Sequence, residues 1–275
     1  MKVACRVRPA LDVKTGESLR EESAVEVLSS PNSQEEKKSL RFQDGLTFTI
    51  DHVYDQKATQ KQVFDSVAQP LVGEAFRGFN CTLFSYGQTG SGKTYTLQGK
   101  PGDEARGIVP RTAEAIFKTM DELQQKDGTE EQVICEMRLS VMEIYQERLK
   151  DLLSTQNSSA GGAWGQAGGS MAGTANLRIR EHIGGSVWVQ GLTEVPVTDI
   201  DQFQELMGRA FKKRATGSHA MNMESSRSHL VCIMNLRQSK PHAGQRISSK
   251  VHLIDLAGSE MVRKTDASGQ RMKEA

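Results

Sequence analysis

Apolar residues fall in short bursts along this chain, and the spacing inside each burst separates strands from helices. Residues 2–7 read as a first strand, stopped by Pro9. Residues 25–28 and 40–42 flank a polar loop and predict a hairpin, and 47–53 adds an extended segment. Thr59 opens a Thr-x-x-Gln capping pattern ahead of Val63, Val67 and Leu71 at helical spacing. Residues 81–86 form a short apolar run ending at Gly87, as expected of a buried strand feeding a loop. A helix starting at 94–97 is interrupted by 99–107. Val109, Ala113, Ile116, Phe117, Met120 and Leu123 then resume the helical period. Residues 133–145 are the longest strand candidate, and Ile200, Phe203, Leu206, Met207 and Ala210 line one face of a further helix. Residues 230–236 and 250–256 close the pattern as two apolar strands. Strands alternate with helices, so the expected class is α/β, with a mainly parallel central sheet flanked by helices on both faces.

One stretch, 154–175, is rich in Gly, Ala and Ser and nearly uncharged, which predicts a flexible surface insertion with Trp164 inside it. It does not mark a domain boundary, so 1–275 reads as one domain. Composition narrows the classes. Lys+Arg is 35 and Asp+Glu 34, a net +1 that gives no bulk attraction to nucleic acid, although a local basic face can hide in that sum. Cys5, Cys81, Cys135 and Cys232 are far apart without C-x-x-C spacing, which argues against a disulfide framework or zinc site and fits a reducing cytosol. Apolar runs such as 230–234 are far shorter than a membrane span, and the first residues are too short and too charged for a signal peptide. No nucleic acid and no membrane are expected as partners.

Chemistry enters at Gly87-Gln88-Thr89-Gly90-Ser91-Gly92-Lys93-Thr94, a full match to G-x-x-x-x-G-K-S/T. Glycines let the backbone curl so that several N–H groups point at a phosphate. Lys93 reaches the β- and γ-phosphates, Thr94 offers its hydroxyl to Mg²⁺, and the positive end of the following helix adds to the field. A strand before and a helix after supply the required context. The loop alone does not choose ATP over GTP.

Two later blocks do more. Asn222-Met223-Glu224-Ser225-Ser226-Arg227-Ser228-His229 and Asp255-Leu256-Ala257-Gly258-Ser259-Glu260 follow the phosphate loop in order. Smaller marks are Arg6-Val7-Arg8-Pro9, Gly107-Ile108-Val109-Pro110-Arg111, and Glu143-Ile144-Tyr145 ahead of Asp151-Leu152-Leu153. Together they resemble the kinesin motor domain, with the two blocks standing as its first and second switches. The resemblance runs from Lys2 to the end of the chain. It implies a P-loop NTPase fold of the kinesin/myosin type, ATP and Mg²⁺ as cofactors, and a microtubule-stimulated ATPase whose partner is tubulin. It places Ser226 on Mg²⁺, Arg227 and Glu260 in a salt bridge joining the switches, and Asn222 among the nucleotide contacts. Arg8, Pro9 and Tyr95 would hold adenine, with plain core packing the alternative for Tyr95. Ser225 and Ser226 offer hydroxyls to a γ-phosphate oxygen, a metal or the attacking water. The Asp255 carboxylate can hold a metal's water shell, and the N–H of side-chain-free Gly258 can approach the γ-phosphate. No N-K-x-D block for guanine occurs, which favours ATP.

Departures from the family pattern are Gln146 where Asn is usual, Ser218-His219-Ala220, and Met223. His229 reads as an anchor for its switch and His219 as a loop residue. The resemblance also implies further elements after Ala275, so the expected form is a C-terminally incomplete motor. Its tubulin contacts would reduce to 178–192 with Arg263, Lys264, Arg271 and Lys273, and a coiled coil outside the chain would make the full-length protein dimeric. Lys264-Thr265 with Ser268-Gly269 resembles plus-end-directed transport kinesins. A cytoplasmic, cytoskeletal location follows. The alternative is a nucleotide-binding, motility-incompetent remnant acting by interaction only.

Overall fold

The computed structural model describes residues 1–9, 25–28, 38–125, 133–155, 177–182, 184–185, 187–218, 226–241 and 243–260. The expected insertion at 154–175 falls almost wholly outside them, as do Trp164, His219, Asn222, Ser225 and the four basic residues after 260. β1 (Ala4–Arg6) pairs in parallel with β5 (His52–Tyr54). β2 (Val25–Leu28), β3 (Lys38–Phe42) and β4 (Thr47–Ile50) form an antiparallel three-stranded sheet, which includes the expected hairpin. The single extended segment expected at 47–53 therefore divides at Asp51 and serves two sheets. The Asp51 carboxylate accepts the Val3 N–H at 2.7 Å, fastening the division.

α1 (Gln60–Val67) begins as its sequence dictates, with Thr59 Oγ1 accepting the Gln62 N–H at 3.2 Å and Gln62 Oε1 accepting the Thr59 N–H at 2.9 Å. The helix does not run on through Leu71. It stops at Ala68, and α2 (Gln69–Phe76) starts afresh, because Pro70 has no N–H to donate and is tolerated only in a first turn. β6 (Cys81–Ser85) follows, then α3 (Lys93–Leu97), α4 (Ile108–Gln124), β7 (Ile134–Tyr145), β8 (Arg148–Asp151), β9 (Arg178–Glu181) and β10 (Val187–Gln190). β11 (Val195–Val197), α5 (Ile200–Ser218), β12 (His229–Lys240) and β13 (Gln245–Asp255) complete the order.

The central sheet has the strand order β11-β7-β12-β13-β6, with β8 also paired to β7. Its direction corrects the expectation of a mainly parallel sheet. Among the described residues only β13 and β6 of this sheet run parallel, and its other pairings are antiparallel. The reason is local: β12 and β13 are joined by the short connection from Lys240 to Gln245, which can only reverse the chain. Leu230, Val231 and Cys232 are all buried, so no alternation of polar residues betrays strand direction. α1, α2, α4 and α5 contact one another in turn and form one layer on the sheet. On the other face Phe84, on the edge strand, is 53% exposed, while Val231 and Met142 further in are buried. The core lies beneath that layer, where Ile116, Leu139, Val141, Phe203, Met234 and Leu253 are buried. Cys81, Cys135 and Cys232 pack there as small hydrophobes, and burial pushes the Cys232 thiol up to about 12.

One departure from the family pattern, Gln146, falls in the β7–β8 hairpin. Tyr145 pairs with Arg148, and the two residues between them, Gln146 and Glu147, have φ of 47° and 60°. Two left-handed residues in a two-residue loop favour Asn-Gly, since Asn tolerates and Gly freely adopts this conformation. Replacing Gln146 by Asn and Glu147 by Gly should raise stability by about 1 kcal/mol. An upward shift of the denaturation midpoint in urea, with unchanged slope, is the expected result.

Candidate functional site

β6 and β13 run side by side in parallel with Ser85 opposite Asp255, so their ends deliver residues 86–92 and 256–260 to one crevice. Gly90 and Gly92 have φ of 80° and 103°, which curls the loop tightly ahead of α3. Lys93 turns back over that loop, its Nζ donating to the carbonyls of Gly87 at 2.8 Å and Gln88 at 2.9 Å. Ser91 N–H closes the turn onto the Gln88 carbonyl at 3.1 Å.

At the floor, Thr94 Oγ1 donates to Asp255 Oδ2 at 2.6 Å, and Ser85 Oγ donates to Asp255 Oδ1 at 3.2 Å. Asp255 is 4% exposed, so the two hydroxyls are what keep its carboxylate satisfied. Hydroxyl and carboxylate oxygens are the donors a hard divalent cation takes, and Mg²⁺ binds through one or two carboxylates plus phosphates. Among the described residues no cluster of three or more His, Cys, Asp or Glu forms a cage of its own. The donor set therefore fits Mg²⁺ arriving with a phosphate ligand.

The two switch blocks meet over this floor. Gly258 N–H donates to the Ser226 carbonyl at 2.7 Å, and Ser259 N–H donates to the Gly87 carbonyl at 3.1 Å. His229 Nδ1 accepts the Ala257 N–H at 3.0 Å, which is the anchoring expected of it. Glu260, expected to meet Arg227, instead places its carboxylate on Thr89, accepting the backbone N–H at 2.9 Å and the side-chain hydroxyl. Those Thr89 bonds, with Lys93 nearby, hold the Glu260 carboxyl below the usual range. A Cβ added at Gly258 would meet the Glu260 carboxylate and the Thr89 hydroxyl, so a larger residue there displaces that contact.

On the base side, Arg8 reaches over Gly90, with Nη1 3.4 Å from where a Cβ there would sit. Tyr95 is 41% exposed, which removes core packing as its role. The Arg6 guanidinium lies 5.2 Å from the Tyr95 ring centre and is tied to Gln60 Oε1 at 2.6 Å, Thr96 Oγ1 and the Ala58 carbonyl. Buried Gln60 also donates to the Tyr95 carbonyl at 2.6 Å. Pro9 is half-buried beside Arg8. Arg6 and Gln60 were not among the candidate residues; a polar residue opening an amphipathic helix gives no sign of what it faces. Glu143 and Arg214, beneath the first switch, were missed likewise, although a lone charge inside an apolar strand run is a usable signal.

Away from the crevice, β9 and β10 form an antiparallel hairpin carrying exposed Arg178, Ile179 and Arg180, with Trp188 stacked on His182 at 5.8 Å. It is the described part of the region expected to face tubulin. No helix among the described residues is long and apolar enough to cross a membrane.

A glycine-rich loop bonded to one later segment, which in turn bonds a second, with Thr94 on the buried Asp255 carboxylate, is the arrangement of the P-loop class of folds. The family model for the kinesin motor domain matches residues 6–275. The chain belongs to the kinesin motor-domain family. It is 35% identical over 276 residues to Kinesin-related protein 7 of Dictyostelium discoideum, covering 100% of this chain and 20% of that protein. It is 39% identical over 231 residues to the kinesin heavy chain of Gibberella moniliformis, covering 83% of this chain and 22% of that one. The chain thus spans roughly a fifth of the length of these relatives. A solved fast kinesin superposes with a TM-score of 0.79 at 33% identity, covering 100% of this chain and 70% of the other. The motor domain of a Kar3-like kinesin from Ashbya gossypii gives 0.72 at 25% identity, covering 99% and 74%.

Proposed function

We propose that this chain binds ATP with Mg²⁺, hydrolyses it, and couples the cycle to microtubule binding and movement. The observation that carries the reading is the pair of backbone bonds from Gly258 to Ser226 and from Ser259 to Gly87. Through them the phosphate loop, the first switch and the second switch form one connected unit, which a γ-phosphate can bias. Bound Mg²⁺, held by Thr94 and Ser226 with Asp255 on its water shell, would neutralise charge on the β- and γ-phosphates.

The remaining work falls to the chain. Amides of Gln88, Thr89, Gly90, Ser91 and Gly92 cradle the phosphates, and Lys93 exchanges its carbonyl partners for phosphate oxygens. Arg8, Pro9 and Tyr95 flank the adenine, with Asn222 completing the nucleotide contacts. Gly258 N–H leaves the Ser226 carbonyl for the γ-phosphate, and Glu260 leaves Thr89 for Arg227. That exchange closes the switches, with Ser225 and Ser226 orienting the attacking water. Family membership supports microtubules as the partner, and the exposed basic and aromatic face of β9–β10 suits an acidic surface.

The test is ATP turnover by this chain with and without polymerised tubulin. Turnover that climbs with microtubule concentration to a plateau is expected. Turnover that is indifferent to saturating microtubules would overturn the coupling to movement.

A further inference from the structure

The first switch is rooted on a buried charge cluster that the reaction chemistry does not use. Glu143 lies on β7, between Leu230 of β12 and Lys150 of β8, and is 2% exposed. Its Oε1 accepts the Ser228 hydroxyl at 2.6 Å and the Arg214 Nε–H at 3.1 Å, and its Oε2 lies 3.7 Å from Lys150 Nζ. Arg214, near the end of α5, also donates from Nη2 to the Ser228 carbonyl at 3.3 Å and to its hydroxyl oxygen at 3.1 Å. Ser228 is 1% exposed and stands two residues after Ser226, whose carbonyl takes the Gly258 N–H. The cluster therefore grips the switch from behind, at its hydroxyl and at its backbone.

We propose that Glu143 and Arg214 are positioning residues for γ-phosphate sensing. By fixing Ser228 they set where Ser226 and Arg227 stand when the switch closes. The proposal rests on the nucleotide reading above. A buried carboxylate is costly unless its charge is matched, and here Arg214 and Lys150 match it while Ser228 fills a lone pair. The switch root thus has one low-energy placement, and its two-residue lever to Ser226 inherits that placement. Neither Glu143 nor Arg214 touches the phosphate loop, so an anchoring role predicts a selective loss. Affinity for a nucleotide lacking the γ-phosphate should survive, and preference for one carrying it should not.

The experiment measures dissociation constants for ADP and for a non-hydrolysable ATP analogue, with Mg²⁺, in the parent chain, Glu143→Gln and Ser228→Ala. Glu143→Gln keeps the shape but removes the charge that holds Arg214. Ser228→Ala removes only the hydroxyl and so tests the same link with less risk to folding. Melting temperatures are recorded alongside. The expected result is an ADP affinity within twofold of the parent in both variants. The analogue-to-ADP preference should fall at least tenfold in Glu143→Gln and about three- to fivefold in Ser228→Ala. A preference unchanged in folded Ser228→Ala overturns the proposal. So does a parallel loss of both affinities, which would mark the cluster as structural only. A parent chain that binds neither nucleotide overturns the site reading itself, and one that binds both equally overturns γ-phosphate sensing alone.

Discussion

Gly258→Ala should lower ATP turnover at least about a hundredfold while leaving ADP affinity nearly unchanged. The added methyl falls where the Glu260 carboxylate and the Thr89 hydroxyl now meet, so those side chains must move to admit it. It also stands beside the N–H that now donates to Ser226 and in the closed state would meet the γ-phosphate, so it crowds the approach of that group. That crowding falls on a step that needs the third phosphate, whereas ADP would be held by the loop amides and Lys93. Losing one well-placed donor to a developing charge costs about a hundred- to a thousandfold in rate, which sets the magnitude. Steady-state turnover and equilibrium ADP binding on the same preparation decide it; turnover within threefold of the parent would contradict the close-packing account.

Lys93→Ala should weaken ATP and ADP alike, by about a hundredfold or about 2.7 kcal/mol. Its ammonium now rests on the carbonyls of Gly87 and Gln88, contacts at the partly exposed loop whose loss costs at most about 1 kcal/mol of stability. With nucleotide bound the same charge would face two phosphates, where charge-assisted bonds are stronger than neutral ones. Calorimetric titration with each nucleotide, beside a thermal melt, separates the two effects. A variant that melts like the parent but binds both nucleotides far more weakly is the expected outcome. The contrast with Gly258→Ala matters: one residue serves every nucleotide, the other only the γ-phosphate.

Local chemistry was legible in the sequence wherever a short stretch carries its own signal. The capping box at Thr59, the strand–loop–helix around Lys93 and the helical stripe over Val109 to Leu123 all needed only neighbours in the chain. Signals missed at this level were also local. Pro70 divides α1 from α2, and the Gln146-Glu147 turn lacks the Asn-Gly pair that announces such a hairpin. Strand direction was misread because a strand buried on both faces looks the same whichever way its neighbour runs.

What the sequence determined by itself was the family, the glycine-rich loop at residues 87–94 and the two later blocks that mark it, because each is a contiguous run whose spacing is the message. Only the tertiary structure decided how those runs meet. It set Thr94 on Asp255 across 161 positions, Thr89 on Glu260 across 171, and the first switch on Glu143 through Ser228 across 85. Such pairs depend on which strands lie side by side, and that follows from burying one apolar face of the sheet under its helices. A charge such as Glu143 acquires its partners only when that burial removes water and leaves Arg214, Lys150 and Ser228 as the groups able to satisfy it.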